Sequence, residues 1–131
     1  MRLGIAVLAL TLLAGCSSDG KRLDQLSADP VFAAKPPRAT SLKTTETPVS
    51  SYMEGGSRDP ATVVLSFETS AGPEDVLLFY RGQAAKAGWN PRSFGALGIV
   101  DTWTKLYPDG STAMLTLEEL GHSGEWRLTA W

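Results

Sequence analysis

Cysteine and histidine each occur only once in the chain, as Cys16 and His122. One thiol excludes an internal disulfide, and one thiol with one imidazole cannot assemble the usual zinc ligand sets, so no metal and no other cofactor is expected. Charge is sparse too: charged residues make up 20% of the chain and the formal net charge is −2. Without a dense lysine and arginine footprint, electrostatic capture of nucleic acid is excluded as a function. Long apolar runs are also missing. The most extended covers residues 3–13, well short of the roughly 20 residues that cross a bilayer as a helix. The 131 residues leave room for one small domain and not for a multidomain enzyme.

The N-terminus does contain a three-part pattern. Met1-Arg2 is a short positive start, residues 3–13 are almost wholly apolar and Ala14-Gly15 are small, which is the layout of a secretory signal peptide. The string Leu13-Ala14-Gly15-Cys16 resembles the lipobox of bacterial lipoproteins and matches it at all four positions. That resemblance implies that a diacylglyceryl group is transferred to the Cys16 sulfur and that a dedicated signal peptidase cuts between Gly15 and Cys16. Residues 1–15 are then the signal peptide, and Cys16 is the first mature residue and the link to the membrane. Two or three acyl chains hold a protein stably on a bilayer where one holds it only marginally. In lipoproteins of two-membrane bacteria an Asp just after the cysteine signals retention at the inner membrane. Ser17-Ser18 stand there instead. The implied location is the extracytoplasmic side of the cell membrane, with an outer membrane allowed where the host has one.

Residues 16–38 read as the lipidated cysteine and a flexible tether. They are rich in Ser, Asp, Ala, Lys and Pro, hold Phe32 as their one aromatic residue, and contain Asp29-Pro30 and Pro36-Pro37, which disfavour helix. Leu23-Asp24-Gln25-Leu26-Ser27 has the makings of one helical turn with nothing to sustain it. The domain is expected over residues 39–131, because nine of the eleven aromatic residues lie beyond position 60. Residues 40–45 form a weak, Thr-rich strand candidate, and residues 54–60 read as a turn or flexible loop. In residues 61–68, Val63, Leu65 and Phe67 alternate with Thr62, Val64, Ser66 and Glu68, predicting a half-buried strand.

A helix is predicted from about 73 to 87. Pro73 follows a permissive Gly72, Glu74 and Asp75 lie at the positive end of the dipole, and Val76, Phe79, Tyr80, Ala84 and Ala87 share a face. Gly88 ends the helix, Trp89 packs back onto it and Asn90-Pro91 blocks continuation. Three alternating stretches follow at 99–107, 111–119 and 125–131, separated by Pro108-Asp109-Gly110 and Gly121-His122-Ser123-Gly124. The expected fold is α+β and two-layered, one helix on an antiparallel sheet, in the order (β)-β-α-β-β-β. The run Val76-Leu77-Leu78-Phe79-Tyr80 with Gly88-Trp89 resembles a recurring bacterial lipoprotein domain, in which an FY helix ending in GW precedes a β-meander. That resemblance implies a fold over 39–131 and no particular activity.

No catalytic residue is identified. His122 lies in a turn beside no obvious acid, and the apparent hydrolase elbow around Ser123 fails because position 125 is Glu125 and the turn joins two strands. Glu118, Glu119 and Glu125 are read as solvated charges that keep a sheet edge from pairing with other chains, without calcium-loop spacing. Gly55-Gly56, Gly95 and Gly98 lack the setting of a phosphate-binding loop. Trp89, Trp103 and Trp126 belong to a core that must hold without disulfide or metal. Trp131 falls on the face opposite Trp126, alongside Val64, Met114, Thr104 and Thr116. An uncovered face of that kind would receive a partner or apolar ligand, unless residues 39–60 cover it. The expected function is therefore a lipid-anchored, non-enzymatic envelope protein that binds a protein or envelope component through a face including Val64, Met114 and Trp131. The alternatives are a carrier of a lipid or cell-wall fragment in a cavity lined by Phe67, Phe79 and Leu115, and, last, an enzyme.

Overall fold

The computed structural model describes residues 18–51, 58–92, 99–121 and 124–131. Its elements in chain order are α1 (Ser18–Ser27), α2 (Pro30–Ala33), β1 (Ala39–Thr47), β2 (Ser50–Ser51), β3 (Arg58–Asp59), β4 (Thr62–Thr69), α3 (Pro73–Lys86), β5 (Asn90–Arg92), β6 (Ile99–Leu106), β7 (Thr112–Leu120) and β8 (Glu125–Ala130). Six strands form one sheet in the order β1-β4-β8-β7-β6-β5, and β2 pairs with β3 as a separate ribbon. Every pairing in the large sheet is antiparallel. The fold is thus α+β and dominated by strands.

The strands form where period-2 alternation gives one side something to bury. In β4, Val63, Leu65 and Phe67 are buried while Val64 and Ser66 are half-buried. In β8, Trp126, Leu128 and Ala130 alternate in the same way with Arg127 and Thr129. These residues join Trp103 of β6 and Ala113, Leu115 and Leu117 of β7 in one core cluster. The face they form is called the inner face below.

Helix α3 starts on Gly72 in extended conformation, with Pro73 at its first position and Glu74 and Asp75 in its first turn. It ends as the sequence predicts. Gly88 has φ +85°, its N–H donates to the Ala85 carbonyl, and the Trp89 N–H donates to the Ala84 carbonyl at 2.9 Å. This pair of bonds satisfies carbonyls that the last turn would otherwise leave orphaned. Val76, Tyr80 and Ala84 are the helix residues that become buried.

Four expectations are corrected. Residues 18–38 do not form a free tether: Leu26 and Val31 are fully buried members of the core cluster, with Leu23 and Phe32 packed against it. Asp29-Pro30 starts a helix where it was expected to oppose one. Asp29 is the N-cap of α2, its carboxylate accepts from the Val31 N–H, and Pro30 occupies a first-turn position where a missing N–H costs nothing. The helical side is consequently not a single helix, since α1, α2 and α3 all contribute to the same core. Finally, Asn90-Pro91 ends the helix but also enters β5, a short edge strand paired with β6, a position where proline is tolerated. At the opposite edge, β1 leaves no residue fully buried, and its register shifts between Thr40 and Lys43, where Ser41 has φ +54°. Such a bulge bends an exposed edge away from pairing with other chains.

The β7–β8 turn supplies the first test. Gly124 has φ +73°, and an added Cβ would lie 2.4 Å from the Thr69 carbonyl oxygen. The same pair of residues is bonded from the Thr69 N–H to the Gly124 carbonyl, so neither backbone can retreat freely. Gly124→Ala should destabilise the domain by at least about 2 kcal/mol in urea denaturation, whereas Gly82→Ala, with open space around it, should be neutral or stabilising.

Candidate functional site

The outer face of the sheet is built in rows fixed by strand register. One row runs Thr45, Val64, Thr129, Thr116, Thr102 and Arg92 across β1, β4, β8, β7, β6 and β5. The next, on one side, runs Lys43, Ser66, Arg127 and Glu118. On the other side Asn90, Thr104 and Met114 align, and Met114 exchanges two backbone hydrogen bonds with Trp131 at 2.9 and 3.1 Å. The pairing of β7 with β8 therefore continues past the last residue of β8 and holds the backbone that carries the Trp131 indole.

These rows bring Val64, Met114 and Trp131 onto one face, together with Thr104 and Thr116, as the alternation predicts. Val64, Ile99, Thr116, Glu118, Arg127, Thr129 and Trp131 line a shallow depression of about 270 Å³. Val64, Met114, Thr129 and Trp131 are half-buried, while Thr116 and Thr102 are buried. The face is therefore neither fully open nor covered. Its chemistry is mixed: an indole, branched aliphatic groups, threonine methyls and hydroxyls, and a charged rim.

That rim was misread from sequence. Arg127 donates to the Glu118 carboxylate through Nε at 2.8 Å and through a terminal nitrogen at 2.6 Å. Glu118 lies on an interior strand, so it does not guard a sheet edge as expected. Glu119 and Glu125 also belong to the interior strands β7 and β8, opposite Trp126 and Leu120. The error has a physical source, since strand order is set by which strands pair and a sequence of alternating segments does not specify it. Among the described residues, no group of three or more His, Cys, Asp or Glu gathers as a metal site. Gly121 and Gly124 adopt positive φ as turn glycines. His122 and Ser123, like Gly55, Gly56, Gly95, Gly98, Gly15 and Cys16, lie outside the described residues.

A second polar constellation was not anticipated at all. Asp29 is 3% exposed. Its Oδ1 accepts from the Val31 N–H at 3.1 Å and the Trp89 indole N–H at 3.0 Å. Its Oδ2 accepts from the Lys105 ammonium at 2.7 Å and the Tyr107 hydroxyl at 2.8 Å. The ammonium also lies 4.9 Å from the Tyr107 ring centre and 5.7 Å from that of Trp89, in cation–π range of both. Four donors on two oxygens commit this carboxylate to holding the fold. Burial and the hydrogen bond to Asp29 push the Tyr107 hydroxyl well above its ordinary value, so it stays a donor at neutral pH. The only local signal was Asp before Pro, an N-cap pattern. The partners at 89, 105 and 107 are invisible without the tertiary structure.

Phe67, Phe79 and Leu115 were expected to wall a cavity, but Tyr80 stands between the first two, with ring centres 5.9 Å from Phe67 and 5.0 Å from Phe79. Leu115 is fully buried in the same core. Another depression, of about 340 Å³, lies beside α3 against Trp89, Pro91 and Trp103, and the Arg81–Asp101 ion pair at 2.7 Å flanks it. Both indoles are almost wholly buried, which leaves little ring surface for stacking.

Two tests follow. Asp29→Ala leaves a largely buried ammonium, an indole N–H and a hydroxyl unpaired, and should cost about 3–5 kcal/mol by urea denaturation. The double variant with Lys105→Met should recover part of that loss. Raising pH provides the other. Burial raises the Tyr80 hydroxyl as it raises Tyr107. A tyrosine whose folded value exceeds its unfolded value contributes stability that is complete below pH about 10 and declines as pH climbs above it. Denaturation midpoints should therefore hold level up to that pH and then fall, and Tyr80→Phe should lessen the fall. No family model, no curated protein and no solved structure matches this chain.

Proposed function

We propose that this is a lipid-anchored protein of the cell envelope whose small domain is a non-catalytic binding module, acting through the outer face of its sheet. One observation carries the reading: the complete lipobox Leu13-Ala14-Gly15-Cys16 directly after an apolar segment of signal-peptide length. Cys16 takes the lipid and joins the domain to the extracytoplasmic surface of the membrane, at the outer membrane where the host has one. The resemblance of the FY helix and its GW ending to small lipoprotein domains supports the same setting.

The domain is read as two layers, with helices against the inner face and the threonine-rich outer face turned to a partner. A patch combining Trp131, Val64 and Ile99 with threonine hydroxyls and the Glu118–Arg127 pair suits an apolar or aromatic side chain of an envelope protein. An indole within such a patch is the kind of group that dominates binding energy. The packing of Tyr80 against both Phe67 and Phe79 favours this reading over an internal carrier.

The anchor is tested by expressing the full chain in a bacterial host and comparing intact masses and membrane fractions of wild type and Cys16→Ser. Wild type should have the mass of residues 16–131 plus a diacylglyceryl group and should fractionate with membranes, and both properties should vanish in the variant. An unmodified, freely secreted wild type would overturn the reading. The face is tested with a photo-crosslinking residue at Thr129, which should give a discrete adduct in intact cells that Trp131→Ala removes. An adduct indifferent to Trp131 would place the contact elsewhere.

A further inference from the structure

Helix α3 carries a second line of residues on the side that the core does not use. Val76, Tyr80 and Ala84 are buried in the core. Asp75, Leu78, Gly82 and Ala85 fall on the opposite side at the spacing of a coiled-coil seam, and all of them are exposed. Leu78 is 65% exposed. Gly82, one turn further on, has open space where a Cβ would stand. Glycine inside a helix costs stability relative to alanine. Gly82 has neither the positive φ of Gly88 nor the close backbone neighbour of Gly124 to account for it. The exposed seam thus offers one large apolar side chain and, beside it, a place with no side chain at all.

The charges along this seam are self-complementary. Asp75 lies in the first turn of α3 and Lys86 in the last. About three turns apart, they stand on the same flank of the seam, and neither forms a salt bridge among the described residues. When two copies of one helix run antiparallel about a two-fold axis, equivalent flanks meet. Asp75 of each copy then comes beside Lys86 of the other, and the same register sets Leu78 of each against Gly82 of the other. A parallel arrangement would instead bring Asp75 to Asp75 and Lys86 to Lys86. On the other flank Arg81 is held by Asp101 at 2.7 Å, so two copies of it meet already neutralised.

We infer that α3 packs antiparallel on α3 of a second copy of this chain, with Leu78 seated over Gly82 in two symmetric layers and Asp75 paired with Lys86 along one flank. A leucine opposite a glycine fills the space between the helices and lets their backbones approach closely. The occupant is a second copy because the seam holds both the knob and its hole, and both members of the charge pair, in the order that a two-fold axis requires. This interface is separate from the binding face proposed above. It lies on the exposed side of a helix packed on the core, whereas Val64 and Trp131 belong to the outer face of the sheet, so both surfaces can be occupied together.

Cysteine pairing tests the register. Two differently tagged full-length chains, one with Leu78→Cys and one with Gly82→Cys, are expressed together in a bacterial host, and intact cells are oxidised with diamide, which crosses membranes. The disulfide-linked mixed product should be several-fold more abundant than the homodimer formed by either variant expressed alone, with the wild-type chain treated in parallel to account for Cys16. Adding Lys86→Glu to both chains should cut the mixed product several-fold by opposing it to Asp75, and adding Asp75→Lys as well should restore it. Urea denaturation midpoints establish that each variant is folded, and all the substituted positions are exposed. A mixed product no more abundant than the homodimers would overturn the antiparallel seam. A mixed product that Lys86→Glu leaves unchanged in folded protein would overturn the charge pairing that fixes its register.

Discussion

The carboxylate of Asp29 ties together parts of the chain that are far apart in sequence. It joins α2, the tryptophan of the Gly88-Trp89 ending of α3 and the end of β6 at a single pair of oxygens. A buried charge of this kind is tolerable only when paired and fully hydrogen-bonded. Here Lys105 supplies the opposite charge, and the other three donors fill the remaining lone pairs. Trp89 and Tyr107 do two things at once: their polar atoms bond Asp29, and their rings meet edge to face with centres 6.4 Å apart. The polar knot and the aromatic packing around it are therefore one feature.

That knot decides what the N-terminal segment is. Its prolines and small polar residues suit a solvated linker, and no local propensity would make a ten-residue α1 stable alone. Once Asp29 is bonded to the sheet and the Leu26 and Val31 side chains are buried, the same residues become part of the domain.

The two sheet faces divide the work. The inner face is continuous and apolar from β4 to β6, and three helical segments add to its core. The outer face is ordered by register into threonine rows, with one Arg127–Glu118 pair, in which two arginine nitrogens donate to the same carboxylate oxygen, and one indole. β-branched threonines favour extended backbone while offering hydroxyls, so this face supports the sheet without becoming a second hydrophobic core.

Much of this was legible in the residues themselves. Period-2 alternation located β4, β6, β7 and β8, and the proline, acidic pair and glycine around α3 gave its start and end, because strands and capped helices answer to neighbours within a few positions. The same alternation put Val64, Met114 and Trp131 on one face, since parity along a strand survives whatever the strand pairs with. The string Leu13-Ala14-Gly15-Cys16, on which the proposed anchor rests, is likewise a matter of contiguous residues. Only the tertiary structure decided the strand order that moved Glu118 from a supposed edge to the interior, the closing of Asp29 on Trp89, Lys105 and Tyr107, and the docking of residues 18–38. Each of these depends on contacts between residues tens of positions apart, whose energies arise only once the chain has brought them together and expelled the water between them.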